Sequence, residues 1–289
     1  DTYPSENPYY DLRKIVPQNI ISRRYAGGLV GYLGYDAINF FEPTLDIQTS
    51  DDFEPFKFGV YLDGLVLDKM TGEVFYYYYE ENRFNEVQQL LAKPPAKFGE
   101  ARVTSLGDTM SREQHADAVD KVKEDICAGL IFQCEVGFKS RYQIDGDTLP
   151  IYQKLREVNP SPHMYYMKFG DQKIIGASPE LLFRLRNGEM ETFPLAGTIN
   201  RGKTPQEDTQ LARTLLNDPK EIAEHNMLVD LHRNDIGRVA KFGTVKVRSL
   251  MDIKRYSHVQ HISSEIVGIM SDDEDMFSAV AANFPAGTL

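Results

Sequence analysis

Glu221, Glu224 and His225 stand at i, i+3 and i+4 within one short stretch, and on a helix side chains at that spacing project together. Two carboxylates on one stripe beside an imidazole suit a hard divalent cation such as Mg²⁺, which takes oxygen ligands and keeps several waters and a substrate anion. Zinc wants nitrogen or sulfur in a closed shell, and no Cys/His spacing here supplies one. A second reading stays open beside the metal: Glu221 as a helix-capping residue and Glu224 as a solvated one. The helix itself is well marked. Asp218 is a good N-cap, Pro219 takes the first helical position and Glu221 the third. Ile222, Met227, Leu228, Val229 and Leu231 form its apolar body.

Other candidate groups lie on elements that the pattern also marks. Ser111 caps a helix with Gln114 at the capping-box position, Val119, Val122 and Ile126 run down one face, and Gly129 ends it. From Leu130 the period becomes two, with Phe132, Cys134, Val136 and Phe138 on one face and Gln133, Glu135 and Lys139 on the other. A helix over Thr148–Val158 runs into Asn159-Pro160-Ser161-Pro162-His163-Met164, where two prolines impose an extended turn. Strands over Lys173–Arg186 and Glu189–Pro194 form a hairpin about Asn187-Gly188, and the first carries Glu180. Gly202, Thr204 and Glu207 open a further helix with its own capping box. The stretch Thr244–Met270 is largely extended and includes His258 and His261, which would face opposite sides of a strand. A last helix covers about Asp273–Asn283.

Nearer the start, Tyr25–Phe41 reads as a buried strand leading into a short helix, with Gly27, Gly28, Gly31 and Gly34 marking close backbone approach. That glycine spacing is wrong for a dinucleotide fingerprint. Phe56–Leu67 and Glu73–Tyr79 flank a Lys-Met-Thr-Gly turn, Arg83–Ala92 forms a short helix, and Lys93–Asp108 is a linker. The expected division is therefore 1–105 and 106–289, in an α+β fold.

At 289 residues with 26% charged and 42% hydrophobic residues, the chain has the composition of a folded globular protein. A net charge of -11 argues against a nucleic-acid surface. No apolar run is long enough to span a bilayer, so no membrane is expected. Cys127 and Cys134 are too few for a disulfide scaffold, and a cytoplasmic location is the expectation. The chain starts without Met and stops at Phe284-Pro285-Ala286-Gly287-Thr288-Leu289, which reads as a fragment truncated at both ends.

The run Lys220–Val239, with Ala-Glu-His-x-Met-Leu-Val-Asp-Leu-x-Arg-Asn-Asp-x-Gly-Arg-Val at its centre, resembles the signature of the chorismate-utilising enzymes. The likeness is closest to the large (synthase) subunits of anthranilate synthases. Other motifs arrive in the family's order: the glycine-tyrosine run near residue 30, Asn159–Met164, Ser178-Pro179-Glu180, Ala196-Gly197-Thr198, His261 and Ala286–Leu289. The resemblance implies large antiparallel sheets with helices packed outside, and a lyase that converts chorismate and ammonia to anthranilate and pyruvate in tryptophan biosynthesis. It implies that 1–105 is part of the synthase N-terminal region and 106–289 a chorismate-binding domain lacking its C-terminal part. Glu221 and Glu224 would serve Mg²⁺, Glu180 would protonate the departing ring hydroxyl, and His261 would assist pyruvate elimination. Gly197, Thr198, Gly287, Thr288 and Gln133 would line the substrate pocket. Asn159, Pro160, Ser161, Pro162 and Met164 would help bind tryptophan as inhibitor; His163 departs from the commoner Tyr, and the other half of that site, a Leu-Leu-Glu-Ser run, is absent. The family's second carboxylate pair would lie beyond Leu289. No Gly-x-Cys-x-Gly elbow surrounds either cysteine, so ammonia would come from a separate glutamine amidotransferase subunit.

Two positions separate the chemistries within the resemblance. Isochorismate and salicylate synthases carry a water-activating Lys where this chain has Gln133, and aminodeoxychorismate synthases a nucleophilic Lys where it has Ala196. Neither residue here has an amine. Those synthases, and a non-catalytic fragment, are the alternatives.

Overall fold

The computed structural model describes residues 4–16, 27–50, 52–95 and 97–285. Among them the strands are β1 (Gly28–Leu33), β2 (Phe56–Tyr61), β3 (Asp63–Leu67), β4 (Val74–Tyr78), β5 (Ala101–Asp108), β6 (Ser140–Gly146), β7 (His163–Phe169), β8 (Gln172–Ser178), β9 (Arg184–Arg186), β10 (Glu189–Thr192), β11 (Leu195–Asn200), β12 (Lys246–Arg255) and β13 (Val259–Ile269). The helices are α1 (Pro8–Asp11), α2 (Phe84–Leu91), α3 (Arg112–Cys127), α4 (Leu149–Val158), α5 (Pro205–Leu215), α6 (Pro219–Gly237) and α7 (Met276–Ala282). Helices combined with antiparallel ladders make the class α+β, as the sequence leads one to expect. No helix among the described residues is long and apolar enough to cross a membrane.

The chain forms two compact units, Asp1–Pro94 with Asn159–Leu289, and Pro95–Val158. These units do not coincide with a division at residue 105, which falls inside β5. The first unit is built around β13. That strand pairs with β10 and β11 in succession along one edge and with β12 along the other, and β9 extends the sheet beyond β10. Helix α6 packs on β11 and β13. Val229, Ile236 and Val239 recur at helical spacing and bury against Met190, Ile266, Ala279 and Ala282. A fully buried side chain of this kind contributes about 1.5–3 kcal/mol. A second cluster holds Tyr9, Leu12, Phe277 and Ala281 among Phe40, Phe41, Phe56 and Phe58. There the Tyr9 hydroxyl donates to Phe277 O at 2.9 Å.

Local chemistry sets most helix starts as expected. The Asp218 side chain accepts from the Lys220 and Glu221 amides, and Ser111 with Gln114 completes a capping box. Helix α5 differs: Thr204 accepts from the Glu207 amide, but Glu207 Oε2 takes the Lys203 N–H, so the expected box is half formed.

The strands show larger departures. Phe56–Leu67 is two strands in two sheets, since β2 pairs β1 whereas β3 pairs β4. The expected linker contains β5, paired with β6. Residues 131–139 keep an alternating pattern but make no strand: β5 takes Ser140–Gly146 as its partner, and Phe132 and Phe138 stay exposed. Lys173–Arg186 is broken at Pro179, which has no N–H for a ladder. Its first part, β8, pairs with β7, and only β9 reaches the Asn187-Gly188 turn to meet β10. Both turn residues have positive φ, +51° and +79°, as a two-residue hairpin requires.

Candidate active site

The site is organised at Gly197. Strand β11 bulges there, with a register shift against β13 between Ala196 and Thr198, and Gly197 has φ of +73°. A Cβ at this position would lie 3.1 Å from Glu221 Oε2 and 3.2 Å from Ile262 Cδ1. The missing side chain is what lets the first turn of α6 bring a carboxylate against the strand. Glu221 is 21% exposed, so the carboxylate is open to a ligand, and its Oε1 lies 3.3 Å from Lys220 Nζ. Glu224, one turn on, is half-buried.

His261 meets the same bulge from β13. Its Nδ1 lies 3.1 Å from Gly197 O and 3.0 Å from Thr198 Oγ1. A carbonyl oxygen only accepts, so Nδ1 carries the proton and Nε2 remains an acceptor. Burial holds the imidazole below its ordinary pKa, partly opposed by the bond to Gly197. The ring is therefore neutral near pH 7 and able to take a proton. In register, Thr198, His261 and Lys254 form one row across β11, β13 and β12.

Glu180 follows the break after β8. Ser178 Oγ donates to Glu180 O at 3.0 Å, and the Leu195 amide donates to Glu180 Oε1 at 3.2 Å. The carboxyl is thereby tied to the residue that starts β11. Glu180 lines a groove of about 250 Å³ with Pro162, His163, Lys254 and Tyr256. Part of the expected inhibitor motif thus shares a groove with the expected acid. Within that motif Ser161 Oγ donates to Asn159 O at 3.4 Å, and Met164 is half-buried opposite Ala177.

The remaining expected residues divide. Gly197, Thr198, His261 and Glu221 come together, with Glu180 joined to them through Leu195. Gln133 lies in the second unit, exposed and outside any ladder, so its expected strand position is corrected. Gly287 and Thr288 lie outside the described residues. His225, expected on the carboxylate face, is buried instead, with Nε2 2.7 Å from Ser264 Oγ. It packs on β13 because its place on α6 belongs to the apolar stripe. His258 is exposed, and its carbonyl accepts from the Arg201 amide.

Glu221 and Glu224 fit a hard divalent ion by donor type, by exposure and by the space that Gly197 leaves at Oε2. Among the described residues no group of three or more His, Cys, Asp or Glu converges, so this pair supplies only part of a coordination shell. Sequence reasoning overlooked Tyr256, and also Asp208, a buried acid on α5 that grips Arg201. The signal for Asp208 was an acid at a position facing the sheet.

A family model described as chorismate binding enzyme matches residues 5–289. The chain belongs to this family. It is 57% identical to anthranilate synthase component 1 of Leptospira biflexa over 99% of this chain and 63% of that protein. It is 44% identical to the component 1 of Methanothermobacter thermautotrophicus over 100% of this chain and 62% of that one. It thus spans somewhat under two thirds of the length of these relatives. Among solved structures, anthranilate synthase component I from Streptococcus pneumoniae TIGR4 superposes with a TM-score of 0.85 at 29% identity, covering 98% of this chain and 67% of that one.

Proposed function

We propose that the full protein is the synthase component of an anthranilate synthase, a lyase that turns chorismate and ammonia into anthranilate and pyruvate. The observation that carries the reading is the meeting of Glu221, Thr198 and His261 at Gly197, beside a buried Ala196 that offers no nucleophile. Relatives at up to 57% identity bearing that name support it.

The residues divide the work as follows. Glu221 and Glu224 would hold Mg²⁺, which when bound supplies charge neutralisation for the ring carboxylate. With no amine at Gln133 or Ala196, the attacking group is external ammonia, already a nucleophile without a base. A C–N bond forms at ring C2, the ring double bonds shift, and the C4–O bond breaks as Glu180 gives its proton to the departing hydroxyl, which leaves as water. The C2 proton then leaves to a base, the role assigned to His261 Nε2, which is free to accept because Nδ1 carries the ring proton. The bond from ring C3 to the enolpyruvyl oxygen breaks, the ring becomes aromatic, and enolpyruvate gains a proton to become pyruvate.

Ammonia would come from a glutamine amidotransferase partner. Tryptophan would bind at Asn159–Pro162 and Met164, next to the groove that holds Glu180, which gives the inhibitor a short route to the acid. A cytoplasmic location suits such a biosynthetic enzyme. Incubating the full protein with chorismate, Mg²⁺ and ammonium should yield anthranilate fluorescence and an equal amount of pyruvate. Isochorismate, salicylate or aminodeoxychorismate as the main product would overturn the reading.

A further inference from the structure

Tyr256 follows β12 directly, and its backbone is pinned on both sides. Its N–H donates to Val259 O at 2.9 Å, and Arg201 Nη1 donates to its carbonyl at 2.6 Å. Arg201 is itself forked onto Asp208, with Nε 3.0 Å from both carboxylate oxygens. Asp208 also accepts from the Gly202 amide at 2.6 Å, and its carbonyl accepts from Gln260 Nε2 at 3.2 Å. Asp208 and Gln260 are buried. The turn between β12 and β13 is therefore fastened to the start of α5. A bidentate arginine–carboxylate pair makes a rigid anchor.

That anchored backbone directs one side chain at two places. The Tyr256 ring packs edge-to-face on His261, centroids 5.5 Å apart and planes at 67°. Its hydroxyl donates to Pro179 O at 3.3 Å. Pro179 immediately precedes Glu180, and Tyr256 lines the same groove as Glu180. Burial, followed by the Glu180 charge, raises the phenol above its ordinary pKa, so the hydroxyl stays a donor at neutral pH. One tyrosine therefore touches both the imidazole that accepts a proton and the segment that presents the proton donor.

We propose that Tyr256 is a positioning residue that holds His261 and the Glu180 segment in one frame. Its ring blocks rotation of the imidazole off Gly197 O, so the Nδ1–H tautomer persists and Nε2 keeps its aim. Its hydroxyl holds the Pro179 carbonyl, and so fixes where the Glu180 side chain leaves the backbone. The catalytic consequence rests on the roles proposed above for Glu180 and His261; the positioning itself is readable without substrate. Misplacing a reacting group by about 1 Å costs about a hundredfold in rate.

The test uses Tyr256→Phe, which keeps the ring contact and loses the hydroxyl, and Tyr256→Leu, which loses both. ¹⁵N spectra of the His261 imidazole, recorded without substrate, should show the Nδ1–H tautomer alone in the native protein and in Tyr256→Phe. In Tyr256→Leu a second form should appear at about 10% or more. In the full protein kcat should fall about tenfold to a hundredfold in Tyr256→Leu, with KM within about twofold. Tyr256→Phe should lose about three- to tenfold in kcat, as expected for one hydrogen bond. Unchanged His261 spectra in Tyr256→Leu would overturn the proposal, as would a lowered melting temperature with unchanged kcat. If Tyr256→Leu does not fold, native-like kcat in Tyr256→Phe overturns it. A full protein that makes no anthranilate would sink the proposed function alone, because the spectra still decide the positioning.

Discussion

At Gly197 a hydrogen stands where any other residue carries carbon, and two requirements meet in that absence. The backbone is left-handed at φ +73°, and Glu221 Oε2 is within 3.1 Å of where a Cβ would be. Gly197→Ala should cost about 1–2 kcal/mol from the conformation alone. It should also weaken Mg²⁺ binding by displacing Glu221. Urea unfolding and a Mg²⁺ titration of the full protein separate the two effects, and an alanine variant with native metal affinity would contradict the second. His261 offers a pH test. Its pKa is lowered by burial, so the proton-accepting form persists below the ordinary value of about 6.5. The acid limb of kcat/KM should therefore lie below that value, with activity lost as pH falls through it. An acid limb at or above it would show that another group limits the rate. Glu180, Gly197, Thr198, Glu221 and His261 were legible because each sits in a motif and the motifs arrive in order. Tyr256 was not, because its role depends on a turn that turns it toward His261, and a turn's direction is not written in hydrophobic periodicity.

Helix α6 carries two titrations of opposite sign one turn apart. Burial lowers His232 to about 4, and the nearby His225 adds to the shift. Burial raises Asp235 to about 6, opposed by Asn234 and Arg238. For His232 the unfolded chain binds the extra proton, so its contribution to stability falls as pH drops from about 6.5 to 4. For Asp235 the folded chain binds the extra proton, so its contribution falls as pH rises from about 4 to 6. Each is worth about 3 kcal/mol, and across that window they offset. Asp235→Asn removes one side: relative to the native protein, the variant should gain about 3 kcal/mol between pH 4 and pH 7. Urea unfolding at stepped pH measures this, and a pH-independent difference would contradict it. The helix itself was legible from Asp218, Pro219 and its apolar spacing. Strands were less so, because an alternating run such as 131–139 satisfies the pattern without a neighbour to pair with, and pairing is settled by distant residues.

Across the whole molecule, fold class was readable from the mix of capped helices and alternating runs, but the grouping of segments was not. Nothing local in Asn159–Leu289 announces that it joins Asp1–Pro94 in one unit while Pro95–Val158 forms another. Function at this scale concerns the source of ammonia. On the proposed reading, in which a separate amidotransferase supplies ammonia, the full protein alone should run on ammonium salts and not on glutamine; neither cysteine of this chain lies in a nucleophile elbow. Glutamine-dependent turnover by the single polypeptide would contradict that. The first unit is also divided in time. Tyr9 is 268 residues from the Phe277 carbonyl that its hydroxyl meets. At about 5–20 residues per second, a ribosome needs roughly 15–50 s to make the chain between them. Throughout that interval the aromatic cluster around Tyr9 waits for Phe277 and Ala281, and its apolar surface stays uncovered until the other end of the chain has been made.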